Sequence, residues 1–147
     1  MRFSDWVLVL TLVFSWYHVG IIWLVQVVAW PLFGYVGRNE FEAYHVAWWR
    51  GIRYVIFVPS GLTLLGVILL LRFRPTGVPA WLLWVGLVLY VLTYALTAAW
   101  WGPQQAKLKD TKSSQFALIL KTHWLRTALV SGYGISLLVA LVMRMHA

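Results

Sequence analysis

Five side chains able to do chemistry fall near one another in register along this chain: His45, Arg50, Arg53, His123 and Arg126. On a helix, Arg50 with Arg53, and His123 with Arg126, are i, i+3 neighbours, so each couple presents both heads on one face. Arginine forks hold an anion or carbonyl oxygen through parallel N–H bonds, and an imidazole moves a proton near neutral pH. The set suits a quinone, a phenolate or a phosphate headgroup, with His45 or His123 as the acid–base group and Arg50, Arg53 and Arg126 as ligand or headgroup contacts. The plainer reading is a cationic rim that caps helix ends and holds lipid phosphates.

The elements that must position these residues are lipid-spanning helices. The chain is 62% hydrophobic and only 11% charged, with a mean hydropathy of +0.78, far from the ~25% charged residues of a soluble domain. Eleven Trp and seven Tyr fit the aromatic belts of bilayer interfaces. Four apolar stretches are long enough to cross, about 6–32, 54–71, 80–101 and 124–143. Pro31 closes the first, Arg72, Arg74, Pro75 and Pro79 mark a tight turn after the second, and Gly102-Pro103 ends the third. The expected architecture is all-α: a single-domain, four-transmembrane-helix up-down bundle over residues 1–147, with short interfacial helices in the first and third connections.

An even number of spans puts both termini on one side and the two long connections, with all five side chains, on the other. The formal charge of +8 then points to anionic lipid headgroups and not to nucleic acid. Arg38, Arg50, Arg53, Lys107, Lys109, Lys112, Lys121 and Arg126 outnumber Arg2, Arg72, Arg74 and Arg144, so the positive-inside bias favours cytoplasmic long connections. If Arg50, Arg53, Lys121 and Arg126 belong to a site, the two sides tie. The first apolar run continues past the length of a signal h-region and lacks a small-residue cleavage site, so the first helix is expected to be retained.

Further candidates lie within the spans. Gln26, one turn before Pro31, is costly in lipid unless it bonds inside the bundle, and is placed as a pocket floor beneath the cluster. Trp30 is a candidate stacking wall. His18, near the middle of the first span, could serve as a single ligand to haem or chlorophyll; a hydrogen bond to Tyr90 or Tyr94 is the favoured alternative. Thr11, Ser15, His18, Gln26 and Ala29 form one stripe, Gly86, Tyr90, Thr93, Tyr94, Thr97 and Trp101 another, and Gly132 with Ser136 a third. Such stripes turn inward in lipid. No metal site is expected: there is no cysteine, no His-x-x-x-His or Glu-x-x-His, and the carboxylates stand outside the spans, which also disfavours an ion relay.

The run Ile22 to Phe33, the segment Phe41-Glu42-Ala43-Tyr44-His45 and the segment Lys121 to Thr127 resemble patterns of the form VQxVxYPLF, FxxYHxxHxxRI and NWxRT. These are found in bacterial four-span proteins similar to the anthrone-oxygenase-like domain of unknown function. The resemblance covers most of the chain and implies a bacterial inner-membrane location and an aromatic or quinone-like ligand. The chain departs from the pattern at Ala29 and at Trp48 or Trp49, where histidines are expected, and at His123, which takes an Asn position. Those departures rearrange a multi-histidine site and shift weight toward a packing role.

Two functions are expected on these grounds. The first is a non-catalytic accessory or structural subunit of a larger membrane assembly, respiratory or photosynthetic, with other membrane subunits as partners. The alternative is a small membrane enzyme or binding protein for an aromatic or quinone-like anionic ligand.

Overall fold

The computed structural model describes residues 2–147. Four long helices account for nearly all of them: α1 (Phe3–Phe33), α2 (Phe41–Arg72), α3 (Ala80–Ala106) and α4 (Ser114–Met145). Each exceeds the ~20 residues that cross a bilayer and carries a strongly apolar window. The protein is therefore a multi-pass, all-α membrane protein folded as a four-helix bundle. The helical segments expected in the first and third connections exist, and they run without a break into the second and fourth spans.

Two prolines do not end their helices as the sequence suggested. Helix α1 passes through Pro31 to Phe33, and α3 passes through Pro103 to Ala106. A proline cannot donate to the carbonyl four residues back, and its ring collides with it. Both helices meet this by widening one turn just before the proline, at Val25–Ala29 and at Thr97–Trp101. The Trp30 N–H reaches the Val25 carbonyl and the Gly102 N–H reaches the Thr97 carbonyl, the five-residue spacing of a π-turn, a feature that recurs at functional sites.

The helices form a ring in which α1 packs on α2 and α4, and α3 packs on α4; α2 and α3 are the least closely packed neighbours. Small residues set the close approaches. Thr11 faces Gly66, and a methyl group on Gly86 would stand 2.6 Å from the Ser136 hydroxyl. In lipid such contacts supply the dispersion that a hydrophobic drive would supply in water. Thr11, Thr63, Thr93 and Thr127 each donate their hydroxyl to a carbonyl one turn back, so these buried polar side chains cost little. The tight turn between α2 and α3 needs Gly77, at φ +80°, a region open to glycine without strain.

Three layers fill the interior. At the terminal end, Leu8, Val67, Leu70, Leu83, Leu137 and their neighbours form an aliphatic plug. Outside it, the Arg144 Nε donates to Asp5 at 2.7 Å, which ties the end of α4 to the start of α1. Val19, Ile22, Tyr90, Val130 and Tyr133 make a middle layer. At the long-connection end Trp30, Phe33, Phe41, Leu108, Phe116 and Ile119 form an aromatic-rich cap.

The bundle is also two similar hairpins. Helices α2 and α4 are both 32 residues long, and each follows a helix carrying a π-turn before a proline. Aligning Phe41 on Ser114 lays Arg53 on Arg126, Gly61 on Gly134 and Thr63 on Ser136. Arg53 and Arg126 thus occupy equivalent places in the two halves.

Candidate functional site

Both π-turns flank one largely covered cavity of about 20 Å³, room for one or two waters. Its wall takes Trp30 from α1, Trp48, Trp49 and Arg53 from α2, Thr97 and Gln105 from α3, and His123 and Arg126 from α4. Of the residues singled out in the sequence, the cavity wall brings together Trp30, Arg53, His123 and Arg126. Gln26 is a correction: it stands behind His123 and is no pocket floor.

Gln26 nevertheless fixes the chemistry of His123. The two side chains meet at 2.6 Å through His123 Nδ1 and Gln26 Oε1, and the Gln26 amide nitrogen turns toward the Leu120 carbonyl at 3.5 Å. A carbonyl only accepts, so it holds the amide with nitrogen toward Leu120 and oxygen toward His123. An amide oxygen also only accepts, so neutral His123 carries its proton on Nδ1. Its Nε2 keeps a free lone pair on a ring that lines the cavity.

Arg126 is the second component. It is 6% exposed, its guanidinium lies 6.0 Å from the Trp101 ring centre, and its Nε has no partner. None of the four carboxylates in the chain neutralises it: Asp5 pairs with Arg144, Asp110 with Arg38, and Glu40 and Glu42 stand exposed in and just after the first connection. The indole N–H of Trp30, a fully buried residue, is likewise unpartnered. One lone pair and two kinds of N–H donor without protein partners thus belong to side chains around the same small space.

The remaining candidates are placed differently. His45 is sandwiched between Phe41 and Trp48, with centroids 5.6 and 6.4 Å away and planes within 10° and 11° of parallel. Two indoles separate it from His123, since Trp48 touches Trp30 and Trp30 touches His123. The histidines therefore do not act on one ligand atom. His45 and Arg50 line a shallow surface depression that shares Trp49 and Arg53 with the cavity wall. Arg53 lies exposed at the cavity's edge, where it donates to the Tyr54 hydroxyl at 3.1 Å.

His18 is fully buried. Its Nδ1 is engaged by the Tyr133 and Ser60 hydroxyls and its ring packs on Tyr94 and Tyr133. The expected partners Tyr90 and Tyr94 are not the ones used; Tyr90 donates to the Ser60 carbonyl instead, at 2.6 Å. A haem or chlorophyll at His18 would have to displace these aromatic rings. Among the described residues no cluster of three or more His, Cys, Asp or Glu could hold a metal ion.

Gln105 was missed by sequence reasoning; Thr97 and Trp101 were placed on an inward stripe and Trp49 in the family pattern, none of them as a site residue. The available signal was the pair of aromatic-proline motifs, Trp30-Pro31 and Trp101-Gly102-Pro103. No family model, curated protein or solved structure matches the chain.

Proposed function

We propose that this protein binds the ionisable oxygen of a phenolic, enolic or quinol-type ligand inside the membrane, and that His123 and Arg126 can take that oxygen through loss of its proton. The observation that carries this reading is Arg126, a buried guanidinium with no carboxylate and with an unpartnered Nε beside a cavity. A buried unpaired charge is strongly unfavourable for stability alone. In the proposed step the ligand O–H bond breaks, the proton moves to His123 Nε2, and the oxyanion is held by Arg126 and the Trp30 indole N–H. An aromatic ligand of this kind agrees with the resemblance to anthrone-oxygenase-like proteins.

Binding of 2-naphthol to the protein in zwitterionic nanodiscs tests this. Saturable binding is expected, weakened in Arg126→Ala by the ~1.5–3 kcal/mol of a charged hydrogen bond, roughly 10- to 150-fold. Equal binding by both proteins, or none by either, would contradict it.

A second reading, a non-catalytic accessory subunit of a respiratory or photosynthetic assembly, is favoured by the cavity's small size, about 20 Å³. Recovery of stoichiometric partner subunits in mild detergent together with absence of 2-naphthol binding would select it. Under either reading the proposed location is the bacterial inner membrane. The orientation that the positive-inside bias favours puts the long connections in the cytoplasm, where Lys107, Lys109 and Lys112 meet anionic headgroups.

A further inference from the structure

The walls of the cavity constrain the ligand's route and shape. Toward the long connections, and so toward water, it is covered by the aromatic cap of Trp30, Phe33, Phe41 and Phe116. Toward the termini the aliphatic plug closes the bundle. The remaining direction is sideways, between α2 and α3, the loosest seam of the ring. There the wall is Phe57, 49% exposed, and the half-buried Thr97. Phe57 closes the seam against Tyr94, with ring centres 6.5 Å apart.

Size adds an independent constraint. Space for one or two waters takes an oxygen and its nearest carbons, so the rest of any ring-bearing ligand has to lie in the seam. Arg53 completes the arrangement. It is the counterpart of Arg126 in the other hairpin, yet it is exposed at the mouth, where a cation meets an anionic or polar head arriving at the membrane interface.

We infer that the ligand is a lipid-dissolved amphipath: its oxygen lies at His123 and Arg126, and its apolar tail leaves the protein between α2 and α3, past Phe57 and Thr97. This rests on the cavity being the binding site proposed above. The ligand class is thereby narrowed to phenols or quinols that carry a hydrocarbon tail and partition into the bilayer; phenols without a tail still bind, more weakly, because they lack the contact that the tail makes beyond the ring.

The test uses a phenol bearing a decyl chain with a diazirine on the chain carbon next to the ring-attached one, photolysed with the intact protein in nanodiscs and mapped by mass spectrometry. A parallel reaction contains excess decylphenol without the diazirine. The competed adducts are expected on α2 and α3 residues bordering the seam, Phe57, Tyr94 and Thr97 among them. Competed adducts on residues 34–40 and 106–113 would overturn lateral entry while leaving the binding site standing. Competed adducts at the α1–α4 or α3–α4 seam would overturn the assigned exit in the same way. Adducts spread over all lipid-facing surfaces and insensitive to the competitor would overturn this inference, and if 2-naphthol also fails to bind, the site reading falls with it.

Discussion

Replacing Arg126 by methionine should make the protein more stable and less able to bind. The guanidinium is 6% exposed, faces no carboxylate and leaves its Nε without a partner. Desolvating such an ion costs several kcal/mol. Against this stands the contact with the Trp101 ring at 6.0 Å, worth ~0.5–2 kcal/mol. Methionine keeps an unbranched, flexible chain that fills the same volume without a charge. By analogy with buried ionic groups replaced by apolar residues, the gain should be about 1–4 kcal/mol. Unfolding in mixed detergent micelles, followed by tryptophan fluorescence, measures it, and 2-naphthol binding is read on the same samples. A destabilisation of more than about 1 kcal/mol would refute the reasoning. It would mean that Arg126 serves to hold helices together.

Gln26→Leu removes the acceptor that keeps the His123 proton on Nδ1; histidine-selective 15N spectra should show the Nδ1–H form dominant in the parent and a mixture in the variant, and identical spectra would sink the tautomer assignment. Gly134→Val places a methyl group 2.8 Å from the Val19 side chain and should lower stability by ~1–3 kcal/mol through overpacking, seen as an earlier unfolding midpoint; an unchanged midpoint would show the α1–α4 contact to be looser than described. Arg144→Gln cuts the link between Asp5 and the end of α4 and should speed amide exchange at both helix termini without altering binding, whereas slowed or unchanged exchange there would contradict a tethering role.

How much of the fold and site was legible in the sequence depends on which periodicity rules each stretch. Apolar runs of spanning length revealed the four helices, because lipid leaves few other solutions for the backbone. His123 and Arg126 were legible as a pair since α4 is an unbroken α-helix there and i, i+3 spacing holds. The π-turns were not legible: each widens a turn just ahead of a proline, and Trp30, directly after the first of them, lines the cavity. His45 was misjudged for another reason. Its face of α2 meets Phe33 and Phe41, so an imidazole that looked free to react is stacked in an aromatic cap. His18 was rightly sent inward, but its partner came from Tyr133 on α4, a contact between helices that spacing along one chain segment does not encode.

The central claim is that His123 and Arg126 take an ionisable oxygen as its anion. The visible spectrum of 4-nitrophenol bound to the protein in nanodiscs, buffered below the phenol's own pKa in water, reads that state directly, because only the phenolate is yellow. The account predicts a saturable phenolate band with the parent protein and its disappearance in Arg126→Met. A bound spectrum of the neutral phenol, or a phenolate band that survives in Arg126→Met, would contradict it.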